Sequence, residues 1–391
     1  AWTATAMARM VDSKHDDCCV SYLPLSHIAE QMMSIHGPST MGSSVYFAES
    51  IEKVPENLKE IQPTAVFGVP RIWEKFHAGV SAKLAQATGA KKHLVAWTRK
   101  VCTEVTGLRN QGRPIPPLLE VQYRVVDKLV LSKLKPALGL GRARTCVSGA
   151  APIAKEILEF FASLDIVIQE VYGQSEDNGP TTFNMTGATK LGTVGRAVPG
   201  VEVKIAADGE ILIKGPNVFL GYYKEPEATA EALQDGWLCS GDLGQFDADG
   251  FLSITGRKKE IIITAGGKNV APKNIEAALK NHELINEAVV IGDRRKFLSA
   301  LITLDPEATQ RYLGGRGTAA SAHQHSAILA EVQKAIDEVN ASLARVEQVK
   351  KFTILPRNLT IEDGELTPTL KVKRKVVNQN FGREIEAMYA E

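Results

Sequence analysis

The sequence lacks the patterns that mark several large classes of protein. Its five cysteines form no C-x-x-C pair and are odd in number, which argues against a disulfide framework or a zinc site and favours a reducing, cytoplasmic environment. No apolar run reaches the roughly 18 residues of a membrane span, and no basic-then-apolar signal segment opens the chain. Peripheral attachment to an intracellular membrane stays open.

Charge of one sign is not in excess either. Lysine plus arginine number 46 and aspartate plus glutamate 45, so nothing points to a nucleic-acid partner, and a small molecule is expected instead. No obligate protein partner is indicated. The sequence also contains no G-x-x-x-x-G-K-[ST] loop, no G-x-G-x-x-G after a strand, no H-E-x-x-H and no G-x-S-x-G, which excludes the commonest nucleotide-binding and hydrolase signatures.

The chain of 391 residues is longer than one hydrophobic core usually organises, so two or three domains are predicted. In residues 1–190 short apolar runs alternate with helical patterns, which is typical of an α/β domain with a mostly parallel sheet. The predicted strands are Cys19–Leu23, Ser44–Phe47, Ala65–Val69, Thr145–Ser148 and Ile166–Val171.

A long helix is predicted between Leu118 and Leu138 of this α/β region. Apolar residues recur there at a spacing of about 3.6, and proline and glycine follow at its end, so we expect the apolar residues to lie in the core. These residues are Leu118, Val121, Val125, Leu129 and Leu134.

The character of the sequence changes twice after residue 190. Residues 191–256 hold short β-like runs separated by Asp-Gly turns at Asp208, Asp235 and Asp249, which predicts a small β-rich subdomain of the same large domain. Residues 257–391 resemble a separate α+β domain. Its predicted elements are strands at Ile261–Thr264, Ala288–Ile291 and Ala300–Leu304, a helix at Pro272–Asn281 and a loop at Gly314–Ser326. A second helix is predicted with one apolar face, formed by Ile328, Val332, Ile336, Val339, Leu343 and Val346.

Six short motifs stand in a fixed order along the chain. They are Tyr22-Leu-Pro-Leu-Ser-His27, Ser148-Gly-Ala-Ala-Pro152, Tyr172-Gly-Gln-Ser-Glu176, Ser240-Gly-Asp-Leu243, Gly256-Arg-Lys-Lys-Glu260 and Leu366-Thr-Pro-Thr-Leu-Lys-Val-Lys-Arg374. In this order and spacing they resemble the acyl-adenylate-forming, or AMP-binding, superfamily. Details within them look most like long-chain fatty acyl-CoA synthetases of the bubblegum type.

The resemblance implies an ATP-dependent fatty acid:CoA ligase, with Mg²⁺ as cofactor and coenzyme A as cosubstrate. Such an enzyme joins a long-chain fatty acid to AMP with release of pyrophosphate, and then transfers the acyl group to the thiol of CoA with release of AMP. The resemblance also implies that the C-terminal α+β domain is a mobile lid that rotates about a hinge at Lys259.

The resemblance assigns the nucleotide to three motifs. The turn formed by Ser148, Gly149, Ala150, Ala151 and Pro152 would bind adenine, although any tight strand-to-helix turn needs small residues. Tyr172, with Gly173 beside it, would stack on the base. Glu176 would hold Mg²⁺, and a solvated loop glutamate is the alternative.

Ribose and pantetheine contacts are implied further along the chain. Asp242 would accept hydrogen bonds from the ribose hydroxyls and Arg257 would contact ribose and phosphate. A turn-capping aspartate and a surface arginine are the alternatives. Gly266 and Gly267 would help line the pantetheine channel, or form an ordinary glycine turn.

Two residues would act on the carboxylate that is being activated. Lys371 matches the lysine that bridges the fatty carboxylate and the α-phosphate, although a run of basic residues is often only a solvated face. The glycine that is more common before this lysine is Leu370 here. His27 matches a position beside the acyl carboxylate, where a purely structural histidine is the alternative.

One expected motif is missing. The Ser/Thr/Gly-rich loop ending in Pro-Lys-Gly, which wraps the β and γ phosphates in this superfamily, would lie before Ala1, and the chain opens instead on a helix-like stretch from Ala1 to Met10. We therefore expect an N-terminally truncated ligase that is inactive alone. The rival hypothesis is a non-catalytic nucleotide- or acyl-binding protein of this length.

Overall fold

The structure is a computed structural model that describes residues 1–314, 319–367 and 370–390. Residues 315–318 of the predicted Gly314–Ser326 loop, and Pro368 and Thr369 of the last motif, lie outside the described residues. The chain forms two compact units, one from Ala1 to Ile254 and one that begins at Thr255. The predicted division at residue 190 stays a prediction.

The elements are numbered in chain order. The strands are β1 Cys18–Ser21, β2 Ser44–Phe47, β3 Ala65–Gly68, β4 Thr145–Ser148, β5 Ile168–Gln174, β6 Gly179–Phe183, β7 Arg196–Ala197, β8 Glu202–Ile205, β9 Glu210–Lys214, β10 Leu233–Gln234, β11 Trp237–Phe246, β12 Leu252–Arg257, β13 Ile262–Ile263, β14 Asn269–Val270, β15 Ile285–Ile291, β16 Leu298–Leu304 and β17 Val349–Ile354.

The α-helices are α1 Trp2–Met10, α2 Ile28–Gln31, α3 Gly37–Met41, α4 Val54–Ile61, α5 Pro70–Ala85, α6 Gly89–Asn110, α7 Pro117–Val126, α8 Ser132–Ala137, α9 Lys155–Ala162, α10 Pro226–Ala232, α11 Pro272–Leu279, α12 Pro306–Tyr312, α13 Ala319–Ala322, α14 Ser326–Ala341, α15 Arg374–Asn380 and α16 Gly382–Tyr389. None of these described helices combines the length and the apolar character that crossing a membrane requires.

The first unit has a mixed α/β fold, which confirms the predicted fold class. Strands β3, β4 and β5 pair in parallel, β6 and β7 continue the sheet antiparallel, and β1 and β2 form a separate parallel pair. Strands β8 and β9 pair antiparallel, as do β9 and β11. The five predicted strands of this region are all present. Strands β1, β3, β4 and β5 carry buried residues, whereas β2 is mostly exposed.

The strand before the third motif is longer than predicted. We expected it to end at Val171, so that Tyr172 would follow it, but β5 continues to Gln174. The reason is its second neighbour: Tyr172 pairs with Thr182 of the antiparallel strand β6. Tyr172 therefore projects from a strand and not from a loop.

The helix predicted at Leu118–Leu138 exists, but its predicted core face is wrong. A π-helical turn, Asp127–Leu131, joins α7 to α8, and the buried residues are Leu119, Val126 and Leu131. They pack with Val101 and Cys102 of α6 in one apolar cluster. Both faces of this helix are apolar, so periodicity alone could not identify the buried one.

The second unit forms around its own core. Strand β16 pairs antiparallel with β15 and parallel with β17, and α11 and α14 cover one face of this sheet. Ile328, Val332 and Ile336 of α14 are buried there, as predicted from their helical spacing. The prediction extended the same helical face to Leu343 and Val346, but α14 ends at Ala341 and Val346 is 49% exposed.

A buried carboxyl group lies in the middle of β5. Glu170 is buried, and its Oε2 accepts a hydrogen bond from the backbone N–H of Gly192 at 2.9 Å. Burial raises the pKa of Glu170 to about 8, and this one hydrogen bond opposes the rise only in part. The native state therefore favours the protonated form.

Glu170→Gln should flatten the pH dependence of stability. Between about pH 5 and pH 8 the native state holds a proton that the unfolded chain has released, so the free energy of unfolding falls by up to about 1.4 kcal/mol per pH unit as pH rises. Urea unfolding at pH 5.5, 7.0 and 8.5, followed by tryptophan fluorescence, measures this slope. Trp2, Trp73, Trp97 and Trp237 all lie in the first unit.

The matched control is Glu202→Gln, which changes an exposed glutamate of β8 and should leave the slope as in the parent chain. An unchanged slope in Glu170→Gln would show that Glu170 is ionised in the native state throughout this range.

Candidate active site

The turn after β4 lies against β5 with little space between the two backbones. A Cβ on Gly149 would lie 2.6 Å from Cγ1 and 3.1 Å from the carbonyl oxygen of Val171. Ala150 has a φ of +71°, a left-handed conformation that strains a residue with a side chain. Small residues are therefore required by the fold at Gly149, whatever this turn binds.

Ser148 is the last residue of β4, and its side chain carries a buried hydroxyl group. Its side chain is buried, and its Oγ has no hydrogen-bond partner among the described residues. The same holds for Nε2 of Gln174 at the end of β5. Buried polar atoms are seldom left unsatisfied, so these two groups suit a polar ligand bound at this edge of the sheet.

Tyr172 and Asp242 form a hydrogen-bonded pair. The Tyr172 hydroxyl donates to Oδ2 of Asp242 at 3.0 Å. Tyr172 is buried, and burial together with the charge of Asp242 raises the pKa of its hydroxyl well above the ordinary value. The phenol therefore stays protonated and keeps one carboxylate oxygen of Asp242 oriented.

The backbone around Asp242 explains how that carboxylate reaches Tyr172. Strand β11 has an irregularity between Cys239 and Leu243, where Gly241 has a φ of +71° and donates its N–H to Oε1 of Glu210 at 2.8 Å. The Asp242 N–H donates to Oγ of Ser240 at 3.1 Å. Such bulges re-aim a side chain out of the regular strand alternation.

Gly173 lies at the tightest point of the site. A Cβ at this position would overlap the carbonyl oxygen of Gly179 on the neighbouring strand. Any other residue would push β5 and β6 apart and displace the turn that follows. This close approach is a structural reason for the glycine in the third motif.

Glu176 lies on a short 3₁₀ turn, Ser175–Asp177, directly after β5. Its Oε1 accepts a hydrogen bond from the Tyr222 hydroxyl at 2.7 Å. Burial and this carboxylate raise the pKa of Tyr222 to about 12. Glu176 is thus held by a partner 46 residues away, which sequence reasoning missed.

Asp177 is a second residue that sequence reasoning missed. Its buried carboxylate accepts from the Gln174 N–H at 2.8 Å and from Oγ1 of Thr181 at 2.7 Å. Burial raises its pKa to about 7, while these hydrogen bonds oppose the rise. The only signal of this role in the sequence is a polar residue in the first turn of a helix.

His27 has a structural task in this fold. It is the N-cap residue of α2, where its Nδ1 accepts a hydrogen bond from the Ala29 N–H at 3.2 Å. The helix continues through a π-helical turn, Met32–His36, and a Cβ on Gly179 would lie 3.4 Å from Cγ of Met32. The helical segment that follows the motif therefore lies close to β6. A role for His27 beside an acyl carboxylate stays a prediction.

Arg257, Lys259, Gly266 and Gly267 belong to the second unit. Arg257 ends β12 and Lys259 lies on the 3₁₀ turn Lys258–Glu260, both with exposed side chains. The two glycines lie between β13 and β14. Gly267 has a φ of +72°, which favours glycine, whereas Gly266 has room for a side chain. An ordinary turn therefore explains why residue 267 is a glycine, but it does not explain the glycine at position 266.

Lys371 is joined to Thr367 by two hydrogen bonds. Its N–H donates to Oγ1 of Thr367 at 3.0 Å, and the Thr367 N–H donates to the Lys371 carbonyl at 2.8 Å. Leu370 has a φ of +60°, so this position favours glycine, which explains why glycine is the more common residue there. The Lys371 side chain is exposed.

The segment that carries Lys371 is anchored on both sides. Buried Glu365 accepts hydrogen bonds from both terminal nitrogens of Arg357, at 2.8 and 2.7 Å, and from Nδ2 of Asn380 at 2.9 Å. On the other side Arg374 pairs with Glu276 at 2.5 Å. Sequence reasoning did not foresee either anchor.

The described residues contain no group of three or more His, Cys, Asp or Glu side chains that could hold a metal ion by themselves. Mg²⁺ in nucleotide sites is usually bound by one or two carboxylates together with phosphate oxygens and water. Glu176, held at the edge of the sheet by Tyr222, fits that requirement. The ion would then depend on the nucleotide for its other ligands.

Two family models match the chain. One, described as AMP-binding enzyme, matches residues 1–223, and the other, described as AMP-binding enzyme C-terminal domain, matches residues 259–391. Among curated relatives, the long-chain-fatty-acid–CoA ligase FadD15 of Mycobacterium bovis is 41% identical over 94% of this chain and 61% of that protein. The long-chain-fatty-acid–CoA ligase ACSBG2 of Xenopus laevis is 38% identical over 99% of this chain and 57% of that protein.

Solved structures have the same fold. The adenylation domain of a carboxylate reductase from Mycobacterium chelonae superimposes with a TM-score of 0.73 at 22% identity, over 99% of this chain and 57% of that one. The A domain of carboxylic acid reductase from Segniliparus rugosus, solved with AMP and a carboxylic acid, has a TM-score of 0.68 at 25% identity, over 95% and 54%. The chain spans less than two thirds of the length of these relatives.

The two family matches fall in both units of the chain. The chain belongs to the AMP-binding enzyme family, and within it resembles the long-chain fatty acyl-CoA synthetases of the bubblegum type.

Proposed function

We propose that the protein is an ATP-dependent long-chain fatty acid–CoA ligase and that these residues form its acyl-adenylate site. Because the chain spans less than two thirds of its relatives, the complete reaction is proposed for the whole protein. The preference for long-chain acids rests on the relatives, two of which bear the name long-chain-fatty-acid–CoA ligase.

The observation that carries the proposal is the hydrogen-bonded pair Tyr172–Asp242 beside the Ser148–Pro152 turn. Ser148 pairs directly with Glu170, two residues before Tyr172, so the turn and the aromatic ring belong to adjacent strands. The Tyr172 hydroxyl orients one carboxylate oxygen of Asp242, and a carboxylate can accept hydrogen bonds from both hydroxyls of a ribose diol. An aromatic ring, a small-residue turn and a carboxylate together fit a nucleoside.

The first step forms a bond between a carboxylate oxygen and the α-phosphorus of ATP, and pyrophosphate leaves. Both reactants are anionic, so neutralising charge and aligning the two groups supply most of the catalysis. Mg²⁺, when bound at Glu176, would supply part of that neutralisation. Tyr222 keeps the Glu176 carboxylate in one orientation for this purpose.

Lys371 would supply the second cation. An ammonium group bridging the carboxylate and the α-phosphate would stabilise the charge that shifts between them. Thioester formation then needs the pantetheine thiol at the acyl carbon, with AMP as leaving group. We propose that the C-terminal domain rotates about Lys259 between the two steps and brings the Gly266–Gly267 loop to the CoA channel.

Asp242→Asn should weaken AMP binding by roughly tenfold or more, because a ribose hydroxyl would lose a charged acceptor. Tyr172→Phe keeps the ring but loses the hydrogen bond that orients Asp242, so a smaller loss, roughly three- to tenfold, is expected. Isothermal titration of the 391-residue chain with AMP measures both.

The matched control is Tyr223→Phe, which removes a hydroxyl from an exposed tyrosine of the same unit and should bind AMP like the parent chain. If Asp242→Asn binds AMP as tightly as the parent chain, Asp242 is a turn residue and the ribose assignment fails.

Lys371→Ala in the whole protein should slow adenylation, measured as pyrophosphate release with palmitate, by roughly 10²- to 10³-fold. Thioester formation from a preformed acyl-adenylate should change little, because Lys371 is assigned to the first step only. The matched control is Lys375→Ala, which removes an exposed cation four residues away. Equal loss of both half-reactions would contradict the rotation of the C-terminal domain.

A further inference from the structure

The outward face of α7 and the π-helical turn after it is apolar. Leu118 is 72% exposed, Val121 59%, Val125 42% and Leu129 51%. Residues three and four positions apart share one face of a helix, so these four side chains form a single stripe, about 16 Å long at 1.5 Å per residue. We call it the outer stripe.

The helix cannot turn this stripe inward, because its opposite face is fixed to the first unit. Leu119, Val126 and Leu131 are buried against α6. The Tyr123 hydroxyl and the Lys135 ammonium both donate to Oδ2 of Asp165, at 2.8 and 2.5 Å. Within the described chain the outer stripe therefore stays on the surface of the first unit.

The exposed charges beside the outer stripe are positive, and the two carboxylates of this segment, Glu120 and Asp127, are half-buried. Between residues 116 and 137, all of which the structure describes, the exposed charged residues are Arg124, Lys128 and Lys133, and none is a carboxylate. Arg124 lies 3.2 Å from Glu120, which is less exposed. Lys133 follows Leu129 by four positions and thus lies at the end of the stripe.

We propose that the outer stripe docks on the interface of an anionic lipid membrane, with Leu118, Val121, Val125 and Leu129 among the acyl chains and Lys128 and Lys133 at the headgroups. A helix with apolar side chains on one line and lysines beside it has the composition of interfacial helices, and each cation near the surface adds attraction to anionic lipid.

A second copy of the chain is the competing occupant, and the charges disfavour it. A two-fold contact would place the same surface patch on both partners, so Arg124, Lys128 and Lys133 would meet cations of the same kind. An anionic surface removes that repulsion. The inference rests on this helix alone and does not depend on the proposed function.

Flotation of the 391-residue chain with vesicles of phosphatidylcholine and phosphatidylglycerol (about 7:3) tests the proposal. At low salt the chain should bind these vesicles at least roughly tenfold more tightly than pure phosphatidylcholine vesicles, and binding should fall as salt rises. Val121→Gln/Leu129→Gln should lose roughly tenfold or more of this affinity. Lys128→Gln/Lys133→Gln should lose most of the salt dependence.

Matched controls exist elsewhere on the first unit. Leu220→Gln changes a leucine that is even more exposed than Leu129, and Lys59→Gln/Lys83→Gln removes two exposed cations from α4 and α5. Both should bind like the parent chain. All these positions are exposed, and an unchanged thermal unfolding curve by tryptophan fluorescence checks that each variant is folded.

Two results would overturn the proposal. One is vesicle binding of Val121→Gln/Leu129→Gln equal to that of the parent chain, or no binding by either. The other is a dimer in sedimentation velocity that this double variant dissociates, without vesicle binding by the parent chain, which would assign the stripe to a second copy.

Discussion

The candidate site depends on a close approach of backbone segments at one edge of the first sheet. A Cβ on Gly173 would overlap the carbonyl of Gly179, and one on Gly149 would press against Val171. The turn after β4 can lie this close to β5, and β5 this close to β6, only because Gly149 and Gly173 have no side chains. Ser148 directly precedes Gly149 in the sequence, and the turn that carries Glu176 begins shortly after Gly173.

The same compactness explains why carboxyl groups near the site behave differently from one another. Glu170 has one backbone donor, so burial dominates and its pKa rises to about 8. Asp177 has several donors, and its pKa rises only to about 7. Asp242 and Glu176 each accept a hydrogen bond from a tyrosine hydroxyl instead. The two carboxylates assigned to ligands are thus each oriented by a neutral donor.

Local patterns predicted the strands and the α14 helix because an apolar run or a 3.6-residue period is itself the cause of burial. They failed at α7, where Leu118 and Leu119 are equally apolar and only the packing of α6 decides which one is buried. The motifs identified Glu176 and Asp242, but not Tyr222 or the β11 irregularity, because these depend on residues distant in sequence. Asp177 was missed although it is next to Glu176, since its role is a hydrogen-bond geometry and not a residue type.

The C-terminal lysine segment combines strain with firm anchoring. Leu370 in the left-handed region costs on the order of 1–2 kcal/mol relative to an ordinary conformation. That cost is tolerated only where the surroundings over-determine the backbone, and here Glu365 with Arg357, and Arg374 with Glu276, hold the chain on both sides of the turn. Anchored flanking residues reduce the backbone entropy that an exposed lysine such as Lys371 loses when it binds a ligand. The anchors therefore account for a lysine that is solvent-exposed and yet carried on a defined backbone.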